Sequence, residues 1–261
     1  AGIKLPDNIQ VTSQLENILD GVEYVVMAIP SQFLRGVVNK ISSQIKENTI
    51  IINLSKGIEI KSHKRMSEII KEEILGKYHK NIVALSGPTH AEEVSAKKPS
   101  AIVAACENIE VAKKVQELFS RDYFRVYAHN DIVGVEIGAS LKNCIAIAAG
   151  ICDGLGFGDN SKSAIMTRGL MEMSRFGAVF GAEEKTFSGL TGVGDLITTC
   201  TSQHSRNRFV GEKIGKGEKI EDILRSMVMV AEGVPTVKAV YEIAKEENID
   251  MPIISGLYNI L

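Results

Sequence analysis

Residues 133–150 read VGVEIGASLKNCIAIAAG, and after Glu136 the only charge in the stretch is Lys142. With Ile137, Leu141, Ile145, Ala146 and Ala149 around it, a helix here has no polar face and must be enclosed on nearly every side. Gly134, Gly138 and Ala139 let neighbouring backbones come close. Lys142 is the residue that such a helix must accommodate. Burying an ammonium without a partner costs several kcal/mol and drives the group toward its neutral, basic form. A lysine poised in that way can transfer a proton. The competing expectation is that its four-carbon stem carries the charge to the surface. The stretches around it decide between the two.

The chain has 261 residues, 44% hydrophobic and 24% charged, with net charge −2, enough length for two modest cores. That charge balance points away from nucleic acid. The longest uncharged apolar run, residues 143–152, is too short to span a bilayer and ends at Asp153. No membrane insertion is expected. The first ten residues, AGIKLPDNIQ, lack a basic segment followed by an apolar one, so no secretory signal is expected. Cys106, Cys144, Cys152 and Cys200 show no CxxC or Cys/His ligand spacing, which predicts reduced thiols in a cytoplasmic protein. His63, His79, His90, His129 and His204 are as scattered, and no metal is expected.

The first half alternates two kinds of pattern. Residues 22–29 (VEYVVMAI), 49–54 (TIIINL), 82–85 (IVAL), 101–105 (AIVAA) and, more weakly, 124–127 are short, continuous apolar runs. Continuous rather than alternating hydrophobicity predicts strands covered on both faces. Between them, residues 33–46, 64–75 and 109–119 carry helical patterns. The fold class is therefore α/β, a doubly wound, Rossmann-like parallel sheet. Ligands of such sheets bind beyond the carboxyl ends of the strands. Those ends carry Pro30-Ser31, Ser55-Lys56-Gly57 and Ser86-Gly87-Pro88-Thr89. Lys56 beside Gly57 sets a point charge where backbone can approach closely, which suits a phosphate or a carbonyl oxygen.

A dinucleotide-binding half opens with strand, glycine-rich turn and helix, yet no G-x-G-x-x-G occurs in this sequence. The expectation is that roughly two βα units, on the order of 60 residues, are absent before residue 1. Gly154-Leu-Gly-Phe-Gly158 has the wrong spacing and reads as a turn between helices. After residue 130 strand signals stop: 161–181, 206–214, 220–227 and 236–247 all read as helices. Two domains are expected, residues 1–130 dinucleotide-binding and 131–261 all-helical. Two polar clusters interrupt the helices. Residues 189–200, GLTGVGDLITTC, read as a flexible loop delivering Asp195, Thr198 and Thr199, without the Lys-Ser/Thr of a phosphate loop. His204-Ser-Arg-Asn-Arg208 sits where a helix starts, a position that can hold an anion.

Together these stretches resemble the NAD(P)-dependent glycerol-3-phosphate dehydrogenases of the bacterial type. The resemblance runs in order through NLSKG (53–57), LSGPTHAEE (85–93), GVEIGASLKNCIAIAAG (134–150), LTGVGDLITTC (190–200), SRNRFVG (205–211) and VAEGVPT (230–236). It implies that Lys142 protonates the carbonyl oxygen of dihydroxyacetone phosphate as hydride arrives, and removes that proton in reverse. Lys56 is implied to touch both cofactor and substrate. Asp195 would accept a substrate hydroxyl or orient Lys142, with Thr199 supporting it and Asn143 beside it. Gly87, Thr89, Ser205, Arg206 and Asn207 match substrate and phosphate contacts. Pro30, Ala91, Arg206, Val230 and Glu232 are the expected cofactor contacts. The cofactor is NAD or NADP; the segment that chooses between them is not in this sequence. A homodimer and a role in supplying glycerol 3-phosphate for phospholipid synthesis complete the expectation. Two alternatives stay open: another hydroxy-acid or hydroxyacyl dehydrogenase of this architecture, or a non-catalytic protein that binds a phosphorylated metabolite.

Overall fold

The computed structural model describes residues 5–261. Five strands form one sheet in the order β1 (Tyr24–Met27), β2 (Ile50–Asn53), β3 (Ile82–Ser86), β4 (Ser100–Ala105) and β5 (Phe124–His129). β1, β2 and β3 are parallel, in the register Val25 to Ile51 and Ile52 to Val83. Their carboxyl ends therefore open on one edge, which is the edge the site uses. Alternate side chains serve opposite faces. Val25, Met27, Ile51, Ile82 and Ala84 pack under α1 (Leu34–Ile41) and α2 (Met66–Glu73). Ile50, Ile52, Val83, Leu85 and Val126 meet Val111, Ala112 and Val115 of α4 (Ile109–Phe119) on the other face. Helices on both faces explain the unbroken apolar runs.

Two strands, β4 and β5, run against the expected all-parallel order. β4 runs antiparallel to β3, pairing Ala84 with Ala105 and Ser86 with Val103, while β5 returns parallel to β4. The cause is the connection. Between Ser86 and Ser100 the only helix is α3 (Ala91–Ser95). Five residues of helix rise about 7.5 Å, too little to recross the sheet, so the chain turns back beside the strand it left.

The rest of the chain folds as helices around α5 (Ile132–Gly154), which Asp131 caps by accepting from the Gly134 amide at 2.8 Å. α5 is longer than the run read from its apolar core and, at 23 residues, is long and apolar enough by composition to cross a membrane. It is 94% buried inside the protein over its most apolar window, so its hydrophobicity is spent on packing. Around it lie α6 (Gly158–Val179), α7 (Glu184–Phe187), α8 (Asp195–Thr201), α9 (Arg206–Gly215), α10 (Ile220–Ser226), α11 (Gly233–Glu246) and α12 (Pro252–Ile260).

The stretch read as a flexible loop at 189–200 is instead a turn over Leu190–Gly194, kinked at Gly192 (φ −97°, ψ −105°), that runs into α8. Its Gly192 serves close packing. A methyl at Gly192 would lie 1.9 Å from the Phe187 carbonyl oxygen.

α5 and α9 cross with their backbones in contact, through Gly150 and Gly154 on one and Gly211 and Gly215 on the other. A Cβ at Gly211 would stand 2.0 Å from the Ile147 carbonyl oxygen, and one at Gly150 would stand 2.1 Å from that of Arg208. Because α9 carries the residues 205–207 at its start, this crossing sets where they stand relative to Lys142. Gly211→Ala should therefore force the helices apart, costing about 1–3 kcal/mol and lowering the Tm by roughly 3–10 °C in calorimetry. An unchanged Tm would mean that the crossing has slack.

Candidate active site

Lys142 does not reach the surface. It is 5% exposed, and its ammonium ends between Asp195 Oδ1 at 2.5 Å and Thr199 Oγ1 at 2.8 Å. Asp195 is the first residue of α8 and Thr199 lies one turn on, so both face α5 from one helix. The Thr199 hydroxyl donates to the Asp195 carbonyl at 2.6 Å, leaving its lone pair for the lysine. From the sheet side, Lys56 Nζ donates to Asp195 Oδ2 at 3.4 Å. One carboxylate thus lies between two ammoniums.

The electrostatics follow from that count. Burial, and next the charge of Lys56, push the Lys142 ammonium down to about 7 against the pull of Asp195. Burial opposes the charge on Asp195, but the attraction of Lys56 and Lys142 outweighs it and holds the acid below the usual carboxylate range. The result is a lysine that can change protonation state near neutral pH beside an acid that stays ionised.

Three contacts fix the helical half onto the sheet edge. Ser140 of α5 accepts from the Gly57 amide at 3.0 Å, which holds the turn carrying Lys56. Gly57 has φ +146°, and a Cβ there would meet Ser31 Oγ at 2.7 Å, so the turn requires glycine. Glu136, buried on α5, accepts from the Ser67 amide at 2.8 Å and from Arg65 at 2.7 Å. Glu232, at the start of α11, accepts from the Ser31 amide at 3.0 Å and from its hydroxyl at 2.5 Å.

A cleft of about 540 Å³ lies between these joints. Of the residues singled out in the sequence, Pro30, Lys56, Thr89, Lys142, Asn143, Thr199, Ser205, Arg206, Asn207, Val230 and Glu232 line it. Asp195 lies beneath, reached through the two lysines. Gly87 is buried behind the lining, where a Cβ would meet Ile102 Cα at 2.9 Å. Ala91 opens α3 on the surface and does not line the cleft. Ser205 caps α9 by accepting from the Arg208 amide at 3.2 Å, so the start of that helix faces the cleft. Arg206 donates to the Val230 carbonyl at 2.9 Å, and Asn207 accepts from the Gly233 amide at 2.9 Å. His90 and His204 also line the cleft, although their spacing in the sequence gave no signal.

Among the described residues no group of three or more His, Cys, Asp or Glu side chains is placed to hold a metal. A nicotinamide cofactor fits better. Ala28, Ile29, Pro30 and Leu54 give the cleft an apolar side at the ends of β1 and β2, with Lys56 at its margin.

The comparisons decide the family. Residues 1–112 match the description "NAD-dependent glycerol-3-phosphate dehydrogenase N-terminus", and residues 131–261 match that of its C-terminus. The chain belongs to the NAD-dependent glycerol-3-phosphate dehydrogenase family. It is 50% identical to the glycerol-3-phosphate dehydrogenase [NAD(P)+] of Ligilactobacillus salivarius, over 100% of this chain and 78% of that protein. The enzyme of the same name from Enterococcus faecalis is 51% identical over 98% of this chain and 76% of its own length. The crystal structure of glycerol-3-phosphate dehydrogenase from Coxiella burnetii superposes with a TM-score of 0.93 at 34% identity, covering 98% of this chain and 78% of that one. The likeness spans both halves of the dehydrogenase fold, and with them the cleft between.

The lysine and carboxylate count makes a direct prediction. Asp195→Asn leaves two ammoniums facing one another, which should cost about 3–5 kcal/mol of stability near pH 6. The lost carboxylate had raised the Lys142 pKa, so Lys142 titrates still lower in the variant. The unfolded chain then binds more protons than the folded one over a wider range, and the deficit should shrink as pH rises. Urea unfolding at pH 6 and pH 9 checks this; a deficit equal at both would show that Asp195 does not carry the lysine charge.

Proposed function

We propose that this protein interconverts dihydroxyacetone phosphate and sn-glycerol 3-phosphate with NAD or NADP, and that Lys142 is its proton-transfer residue. The observation that carries the reading is the buried Lys142, held by Asp195 and Thr199 and lowered to about 7, at the wall of a cleft between sheet and helices. The nicotinamide cofactor, when bound, supplies or accepts the hydride.

The chain's own residues do the remainder. In reduction Lys142 gives its proton to the carbonyl oxygen of the substrate, and in oxidation the neutral amine takes it from the hydroxyl. Lys56 sets a second positive charge beside the oxygen on which negative charge develops. Both oxygens of Asp195 are engaged by lysines, which supports an orienting role for it over that of a hydroxyl acceptor. Thr199 keeps the end of Lys142 in place, and Asn143, whose amide donates to the Ala139 carbonyl at 3.3 Å, is assigned to the substrate wall of the cleft. Ser205, Arg206 and Asn207, at the start of α9, hold the substrate phosphate, and Thr89 and Gly87 shape the opposite wall. Pro30, Val230 and Arg206 are assigned to the cofactor side, with Ala91 outside the cleft lining. Glu232 is assigned there too, although in this structure its carboxylate is taken up by Ser31.

Residues 1–130 act as the cofactor half and 131–261 as the substrate half. Four unpaired, buried thiols support a cytoplasmic setting, and the burial of α5 supports a protein that does not enter the bilayer. A homodimer is the proposed assembly. The product suits phospholipid synthesis.

Nicotinamide absorbance with dihydroxyacetone phosphate tests the reading. Lys142→Ala should lower kcat by about 10²–10⁴. For the parent, kcat/KM of reduction should be level below about pH 7 and fall tenfold per unit above it, because reduction needs the protonated lysine. Oxidation should rise with pH to about 7 and then level off. A folded parent that oxidises neither NADH nor NADPH would sink the enzyme and leave a protein that binds the phosphorylated metabolite without turning it over.

A further inference from the structure

Gln32 lies one residue past Ser31, in the short helical turn Ser31–Phe33 that leads from the end of β1 into α1. It is outside the lining of the cleft, yet its side-chain amide is bonded at both ends. Nε2 donates to the Ile58 carbonyl at 2.8 Å and to Ser31 Oγ at 3.2 Å. Oε1 accepts from the Ile60 amide at 3.1 Å. One side chain thus pairs with backbone on either side of Glu59, as the edge of a strand would. The segment it grips is the one that leaves Lys56.

Lys56 needs such a grip. Its Nζ meets Asp195 Oδ2 at 3.4 Å, a long contact, and its flexible side chain is 24% exposed. The backbone must therefore set where the charge stands. Ahead of Lys56, Asn53 brackets Ser55, accepting from its amide at 3.1 Å and donating to its carbonyl at 3.0 Å. Behind it, Ser140 takes the Gly57 amide and Gln32 takes the carbonyl of the next residue. Ser140 holds the turn from the helices, and Gln32 holds it from the sheet half.

We propose that Gln32 is a positioning residue for the reaction: through Ile58 and Ile60 it fixes the Lys56 turn and so keeps the Lys56 ammonium on Asp195, beside Lys142. The proposal rests on the dehydrogenase reading for its effect on turnover, and on the geometry alone for its effect on Lys142.

The groups that face Lys142 are Asp195 and Cys200 of α8, Lys56 from the sheet edge and His90 beyond β3, with His204, Arg206 and Glu232 on the same cleft. Of these, Lys56 alone rides on the segment that Gln32 holds. Glu232 is bonded to the Ser31 amide and hydroxyl directly. The charge of Lys56 opposes the Lys142 ammonium, and its contact with Asp195 Oδ2 draws on the carboxylate that favours that ammonium. Loosening Lys56 therefore raises the pH at which Lys142 loses its proton.

The test uses Gln32→Met, which keeps the length of the side chain and removes its hydrogen bonds, alone and combined with Lys56→Met. Lys142 is titrated by NMR on protein labelled at the lysine ε-carbons, its signal assigned by its loss in Lys142→Ala. The midpoint, about 7 in the parent, should rise by about 0.5–1 unit in Gln32→Met. Gln32→Asn, too short to span Ile58 and Ile60 together, should move it the same way by less. The break in kcat/KM for reduction should follow the midpoint upward, and kcat/KM at pH 6 should fall about tenfold. In the Lys56→Met background, Gln32→Met should leave the midpoint in place and change kcat/KM by less than about twofold, because both residues act through one charge. A midpoint that stays within about 0.2 unit of the parent would overturn the proposal. So would a loss of kcat/KM that is undiminished in the Lys56→Met background, which would make Gln32 a packing group. A parent that turns over while midpoint and break ignore Gln32 removes the positioning role alone. A parent without turnover whose Lys142 midpoint rises in Gln32→Met removes the enzyme reading and leaves the grip on Lys56 standing.

Discussion

A charged amine enclosed on a helix with no polar face is the constraint from which the rest of the site follows. Lys142 is almost fully enclosed where it meets the cleft, so a carboxylate must come to it, and the chain brings Asp195 on the first turn of α8. That placement in turn requires α8 to run close beside α5. Gly138 makes room: a Cβ there would fall 2.5 Å from the Thr191 carbonyl oxygen, just before α8. Packing and charge therefore act through the same few residues. The helix crossing that brings α9 alongside has the same origin, since glycines on both helices let the backbone bearing Ser205 approach the cleft.

The joints between sheet and helices explain how two lysines from distant parts of the chain meet. Lys56 stands on a strand end and Lys142 on α5, and neither position alone determines their separation. Ser140 provides the link, because it sits two residues before Lys142 and accepts from the amide that follows Lys56. Glu136, one turn earlier on the same helix, anchors α5 to α2 through Ser67 and Arg65. Glu136 and Ser140 thus tie one helix to α2 and to the sheet edge on successive turns, and Lys142 is joined to Lys56 through Asp195.

Much of this could be read in the residues, and what could not has a physical reason. The five strands, the central helix and the polar cluster that starts α9 are legible because local composition determines them: continuous apolar runs, one enclosed lysine, a serine cap. The direction of β4 is not, because it depends on the span that α3 fails to cover. The helical state of residues 195–201 was hidden by the three glycines ahead of it, which read as flexibility until the close approach of the Phe187 carbonyl shows the use of Gly192. The bond between Ser31 and Glu232 joins residues 201 apart. His90 and His204 carried no spacing signal either, since what relates them is the cleft and not the chain.

The charge count gives the arrangement its chemical direction. Two lysines share a single buried carboxylate, and Arg206, exposed at the cleft wall, engages a backbone carbonyl at 2.9 Å. With Glu232, the other carboxylate of the cleft, taken up by Ser31, the cleft keeps one positive charge in excess when Lys142 is protonated. Such a site favours a ligand that brings its own negative charge, and favours still more a state in which a neutral oxygen becomes negative next to Lys142. Adding a second carboxylate would improve the stability of the empty protein and remove that preference. The shortage of acid around Lys56 and Lys142 is therefore better understood as the source of reactivity than as a defect in packing.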